Sequence, residues 1–208
     1  MNADLPQFLS ERLHQSLPGT IAQRTMEPDL SYGRYSGPWL PDARPAAVVA
    51  LLHVLNGQWH LPLMLRPESL AHHAGQIGLP GGIIEAGETS EEAALRELEE
   101  ELGIARFGAM VLGQLSPLYV YGTNFLIEPW VAVLRGATVF QPNPAEVQEI
   151  LQVSLAHLLM PTSRGQHIEQ RGSLRFKAPH FDWQGHYIWG ATSMILAELT
   201  AVVGATEV

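Results

Sequence analysis

Eight of the chain's 21 acidic residues fall between Glu85 and Glu101, and carboxylates crowded to that density need a counter-charge. Set on a helix at about 100° per residue, Glu97, Glu100 and Glu101 project within roughly 100° of one another. Ala94, Leu95, Leu98 and Leu102 then form the opposing apolar stripe, so one face packs and the other is acidic. Like charges three and four residues apart repel by roughly a few tenths of a kcal/mol per exposed pair, and by more where solvent is excluded. A divalent cation is the economical answer, and ligands made only of carboxylate and carbonyl oxygen favour Mg²⁺ or Mn²⁺ over zinc. The plainer alternative is a solvated helix face opened by a capping box, Thr89 followed by Glu92. Glycines surround this segment: Gly81 and Gly82 permit tight backbone geometry and let a carbonyl approach an ion, Gly87 suits the turn before the helix, and Gly103 suits its C-cap.

The elements that must position these groups follow from hydrophobic periodicity. Leu5, Phe8, Leu9, Leu13 and Leu17 predict an amphipathic N-terminal helix ended by Pro18-Gly19, and residues 18–45 read as an extended connection. The run AAVVALLHVL, then Asn56-Gly57, then QWHLPLMLR predicts two strands joined by a tight turn. A helix over 89–102 comes next, then strands within 107–121 and 125–135, a strand at 148–153, and a short helix at 155–160 with Ser154 as N-cap. Strand-like pieces at 166–178 and 186–189 precede a final helix at 191–203, whose apolar stripe reads as core. Strands and helices interleave without a regular βαβ rhythm, which predicts an α/β protein with a mixed sheet and helices on its faces, in one domain spanning 1–208.

Composition removes several classes of function. A formal charge of −9, with no basic run, lacks the electrostatic footprint for nucleic acid. The absence of cysteine excludes disulfides, thiolate nucleophiles and cysteine zinc sites. The longest apolar stretch, Ala46–Leu55, is about half of the ~20 residues a membrane span requires, and the N-terminus lacks the pattern of a signal peptide. The expectation is a soluble, cytoplasmic protein with no nucleic-acid or membrane partner, its state, monomer or homodimer, left open. Ser116, Ser154 and Ser193 have no Gly-x-Ser-x-Gly setting. His72 and His73, like His180 and His186, read as structural or substrate-contact residues rather than metal ligands, because vicinal side chains rarely ligate one ion. Tyr119, Tyr121 and Phe125 read first as core, with stacking on a purine as the alternative.

One pattern is specific. Gly82, five residues, Glu88, seven residues, Arg96-Glu97-Leu98, one residue, Glu100-Glu101, one residue, Gly103-Ile104 resembles the Nudix box at every defined position. The resemblance implies a Nudix-type α/β/α sandwich that hydrolyses a diphosphate linked to another moiety. It implies Glu97, Glu100 and Glu101 as ligands of Mg²⁺ or Mn²⁺, joined by a Gly81 or Gly82 carbonyl, with Arg96 and Glu88 paired behind them. Cations held there would neutralise phosphate oxygens and acidify a water for in-line attack without a covalent intermediate. Glu146, in the loop NPAEVQEI, is a candidate to take the proton from that water, alongside the box glutamates.

The flanking segment LRPESLAHHAGQIGLPGG resembles the signature that precedes the box in coenzyme A pyrophosphatases, through Arg66, Gly75, Gln76, Pro80, Gly81 and Gly82. Likeness continues through Asn124–Pro129, Asn143–Leu155 and Trp189–Thr192. It implies Arg66, Gly75, Gln76, Gly81 and Gly82 as substrate-binding residues, and cleavage of coenzyme A to 3′,5′-ADP and a 4′-phosphopantetheine product. The alternatives are another nucleoside diphosphate derivative, such as ADP-ribose, a dinucleotide or a nucleoside triphosphate, or a nucleotide sensor that does not cleave. Pro67, Ala71 and Leu79 depart from the pattern, and at Ala71 a guanidinium is missing, a contact worth roughly 1.5 to 3 kcal/mol to an anionic nucleotide. Arg66, Arg164, Arg171, Arg175 and Lys177 are the candidates to replace it.

Overall fold

One long strand organises the molecule. In this computed structural model, which describes residues 4–29, 38–69, 73–136 and 139–204, β1 (Arg44–Leu55) alternates its side chains between two apolar layers. Ala47, Val49 and Leu51 pack in a cluster with Ala93, Ala94, Leu98 and Leu102. Ala50 and Leu52 belong to the opposite cluster, with Leu9, Leu63, Val131 and Leu199. The period of two thus places a helix layer on each side of the sheet.

β1 turns at Asn56-Gly57, both at positive φ (51° and 76°), into β2 (Gln58–Leu65). This is the backbone twist that favours asparagine and glycine in two-residue hairpins. β3 (Ile77–Gly78) and β8 (Glu149–Ser154) flank β2, and β4 (Gly81–Ile83) pairs with the first half of β1. β7 (Phe125–Leu134) runs parallel to β1 and itself pairs antiparallel with β5 (Ala109–Gln114) and β6 (Leu118–Val120). The result is a mixed sheet of eight strands. Helix α3 (Ser90–Leu102) covers one face; α1 (Leu5–Leu13), α4 (Leu155–Leu159) and α5 (Ala191–Gly204) cover the other. A three-stranded antiparallel sheet, β9 (Arg164–Arg171), β10 (Leu174–Trp183) and β11 (His186–Trp189), packs Phe181 and Ile188 into that second layer. Among the described residues no helix is long and apolar enough to cross a membrane.

The expected mixed α/β architecture is present, with corrections. The first helix ends at Leu13 rather than at Pro18, as the Gln15 amide closes a tight turn on the Arg12 carbonyl at 3.1 Å. The connection after it is not wholly extended: α2 (Thr20–Gln23) and a single 3₁₀ turn over Arg24–Met26 lie within it. The apolar stretch 107–121 is two strands, β5 and β6, rather than one.

A buried acid on α5 fixes this N-terminal segment. Glu198 is fully enclosed and accepts hydrogen bonds from the Gly19 amide at 3.0 Å, the Ser116 amide at 3.3 Å and the Gln23 Nε2 at 2.9 Å. Replacing it with alanine leaves three donors without their acceptor. Glu198→Ala is expected to lower unfolding free energy by about 3 kcal/mol or more in urea denaturation; a loss within error of zero would mean the tie is dispensable.

Candidate active site

Helix α3 is held at both ends. The Thr89 hydroxyl accepts from the Glu92 amide and the Glu92 carboxylate accepts from the Thr89 amide, so the expected capping box is formed. At the other end Gly103 adopts the left-handed conformation, φ 69°, and its amide closes on the Glu99 carbonyl. The Trp130 indole donates to Ser90 Oγ at 3.2 Å and ties the first turn to β7.

So anchored, α3 turns its carboxylates toward β4. They are not equivalent: the Glu100 side chain is 55% exposed, that of Glu97 14% and that of Glu101 1%. Glu101 therefore departs from the simple picture of an acidic face opposite an apolar one, since it lies at the boundary and is enclosed with Leu98 and Leu102. Burial, reinforced by the neighbouring charges of Glu97 and Glu146, pushes its carboxyl up to about 8, despite a hydrogen bond from the Gly81 amide at 2.9 Å and the Arg66 charge. Burial also raises Glu97, with the Arg96 guanidinium pulling the other way.

Arginines supply the counter-charge seen here. Arg96 donates through Nη1 to Glu97 at 2.7 Å and Glu100 at 3.2 Å, through Nε and Nη2 to both oxygens of Glu88, and through Nη2 to the Ile83 carbonyl. The Arg96–Glu88 pairing is as expected; the bridge from Arg96 to two further glutamates is an addition. Arg66 Nη1 stands 3.6 Å from Glu101, and its buried Nε has no hydrogen-bond partner among the described residues.

The paired glycines lie close to their neighbours, Gly81 against backbone and Gly82 against the end of a side chain. A Cβ on Gly82 would collide with the Glu97 carboxylate, and one on Gly81, at φ 155°, with the Ala47 carbonyl and Val48 of β1. This close approach lets the β4 amide reach Glu101.

Beside this acidic edge opens a cleft of about 560 Å³. Arg66, Gly81 and Gly82 line its polar end, and Leu79, Trp189 and Ile195 are among the apolar side chains of its wall. Tyr121 and Phe125 line it too; this corrects the core reading for Tyr121, which is exposed, while Phe125 also packs against the core as expected, and Tyr119 donates its hydroxyl to Asn124 Oδ1 at 2.8 Å. Gln76 and His73 line it and are joined at 2.7 Å. Gly75 does not: at φ 66° it makes the turn that returns the chain to Arg66, and a Cβ there would strike the Glu68 carboxylate. Ala71 and His72 lie outside the described residues, as does the Arg171 side chain. Arg164 is engaged elsewhere, with Thr200 and the Phe181 ring. Arg175 and Lys177 line a separate hollow with Asp29, and His180 is buried against His167 and Tyr187.

Among the described residues no three His, Asp or Glu side chains form a preset metal-ligating group; the box glutamates are engaged by Arg96 and Arg66. The donor chemistry nevertheless fits a hard divalent cation. Glu97, Glu100 and Glu101 offer carboxylate oxygen alone, and the Glu101 carboxyl, raised first by burial and then by the charges of Glu97 and Glu146, is a group whose charged form such an ion would favour. Glu146 is near enough to raise both Glu97 and Glu101, and its carboxylate accepts from Asn143 Nδ2 at 3.2 Å.

A family model described as NUDIX domain matches residues 43–171. The chain is 35% identical over 165 residues to the uncharacterized Nudix hydrolase NudL of Photorhabdus laumondii, covering 79% of this chain and 88% of that protein. It is 34% identical over 165 residues to the mitochondrial coenzyme A diphosphatase NUDT8 of Mus musculus, covering 76% of this chain and 78% of that one. In fold it is similar to the crystal structure of a Nudix hydrolase from M. smegmatis, RenU, with a TM-score of 0.56, 17% identity and coverage of 80% and 89%.

The raised Glu101 has a measurable sign. Unfolded, the group titrates near its ordinary 4.5; folded, near 8. Between those values the folded state holds a proton that the unfolded state has lost, so the contribution of Glu101 to stability falls as pH rises through the window and levels off above it. Denaturation in EDTA from about pH 5 to about pH 9 should therefore show wild type losing stability relative to Glu101→Gln as pH rises. A constant difference would contradict the burial of this acid.

Proposed function

The chain belongs to the Nudix hydrolase family, and from that footing we propose that it is a divalent-cation-dependent pyrophosphohydrolase of coenzyme A or a coenzyme A derivative, releasing 3′,5′-ADP and a 4′-phosphopantetheine product. The observation that carries this reading is the adjacency of the cleft to the acidic edge. Arg66 and Gly81, which contact Glu101, line the cleft beside the edge where a diphosphate would be cut, and its apolar wall suits the rest of a long, mixed substrate. Similarity to a relative named coenzyme A diphosphatase over three quarters of the chain supports the substrate class.

Glu97, Glu100 and Glu101 would hold Mg²⁺ or Mn²⁺, which when bound supplies neutralisation of the phosphate oxygens and acidification of a water. Arg96 keeps Glu97 and Glu100 oriented from behind, with Glu88 fixing the guanidinium on its other edge. Arg66, which lines the cleft and stands 3.6 Å from Glu101, binds a diphosphate oxygen, and the Gly81–Gly82 backbone leaves room for it. Glu146 accepts the proton as the water oxygen bonds to phosphorus and the bridging anhydride bond breaks, the bridging oxygen leaving with the other phosphate. Gln76 and His73 contact substrate on the same wall.

Incubation with Mg²⁺ and a mixture of coenzyme A, acetyl-coenzyme A, ADP-ribose, NADH and diadenosine polyphosphates, followed by mass spectrometry, should deplete the coenzyme A species and produce 3′,5′-ADP. Depletion of another component alone would refute the substrate and keep the chemistry. Glu100→Gln should lower kcat on the order of 10²-fold or more without a loss of melting temperature, because this side chain is the exposed one of the three. Retention of full activity would remove Glu100 from the site. Arg96→Gln should cost about 10- to 100-fold through misplacement of Glu97 and Glu100.

A further inference from the structure

Val48, Ala46 and Arg44 occupy alternate positions of β1, so their side chains leave one face of the strand. Val48 and Ala46 line the cleft, and Ile127 and Phe125, their neighbours on β7, line it as well. Ala46 pairs with Ile127 and Arg44 with Phe125 in the parallel register. This floor starts beside the acidic edge, where Val48 pairs with Gly81, and ends at Phe125 and Thr123; Arg44, four residues or about 13 Å of strand from Val48, does not line the cleft itself but contacts both of those lining residues at its rim.

Arg44 is set there as a guanidinium without an acid. Its Cζ lies 4.0 Å over the Phe125 ring centroid and its Nη2 donates to the Thr123 carbonyl at 3.3 Å. Among the described residues it has no carboxylate within ion-pair distance, whereas Arg66, Arg96 and Arg106 are paired with Glu101, Glu88 and Glu99. Stacking and one hydrogen bond orient the plane and leave most of its N–H groups unused, the state in which arginine loses least on binding a phosphate in two-pronged fashion.

We infer that Arg44 is a specificity-determining residue that takes a phosphomonoester carried by the substrate apart from its diphosphate. The inference deepens the reading of the cleft as a coenzyme A site. Coenzyme A bears such a group on its ribose, whereas ADP-ribose and NADH do not. A cation here also restores a positive charge to a chain that has Ala71 where the coenzyme A pattern has arginine. In a chain of net charge −9 a local arginine, rather than the field of the whole protein, has to do this.

Two ligands that differ only in this group isolate the effect: adenosine 3′,5′-bisphosphate and AMP, titrated calorimetrically into the full-length protein with Mg²⁺. Wild type is expected to bind the bisphosphate about tenfold or more tightly than AMP; Arg44→Gln should lose most of that preference, and Arg44→Lys should retain part of it. The same variants should lower the ratio of kcat/KM for coenzyme A over dephospho-coenzyme A by a similar factor. Arg44→Gln with the preference intact would overturn the assignment, as would a wild type with no preference. A bisphosphate preference that depends on Arg44, in a protein that leaves coenzyme A uncut, would instead refute the substrate reading and leave the Arg44 assignment standing.

Discussion

Three carboxylates of one helix, two of them largely withdrawn from water, cannot share an edge unless something else is positive. That repulsion is the constraint around which the site is arranged. Arg96 answers it from behind, bridging Glu97 and Glu100 while Glu88 grips its other edge. Glu101 is shifted toward its neutral form, first by burial and then by the charges of Glu97 and Glu146, with Arg66 and the Gly81 amide as partial compensation. Hydrogen bonds strengthen as water is excluded, and so does the cost of leaving them incomplete. On the proposed reading, a divalent cation between the glutamates and an anion at Arg66 complete that balance.

Keeping that arrangement in place falls to β1. Its register with β4 leaves no room for a side chain at Gly81, which lies against Ala47 and Val48, and brings Gly82 under the Glu97 carboxylate of α3. Its register with β7 lays down the floor of the cleft. One strand thus couples the acidic edge, the apolar wall and Arg44, and its alternate residues build the core beneath α3. Glu198 braces the opposite layer, and nothing in its position suggests a part in the chemistry.

The local features were legible in the sequence because their causes are local. Box spacing, the Thr89–Glu92 cap, Gly103 at the helix end and Asn56-Gly57 at the hairpin each follow from a few adjacent residues, and the Arg96–Glu88 pairing came with the family resemblance. What escaped depends on packing between distant segments. Helical projection placed Glu101 on the acidic face, but the depth to which β4 and the Asn143 loop enclose it is set by tertiary contact. The periodicity of Leu17 continued the first helix on paper, while the backbone closed it at Arg12–Gln15. Tyr121 resembled a core aromatic because its neighbours are apolar, but it stands in the turn after β6, where it is exposed and lines the cleft. Arg44 carried no signal: a single arginine at the start of a strand gains meaning only through its partner on β7.

The central claim is that acidic edge and cleft act together as one hydrolytic site for coenzyme A. Hydrolysis of coenzyme A in ¹⁸O-labelled water with Mg²⁺, the two products weighed separately, tests it most directly. The account predicts one ¹⁸O atom in one of the two phosphate products and none in the other, with the reaction abolished by EDTA. Cleavage that places the label in neither phosphate, or that continues without a divalent cation, would contradict it.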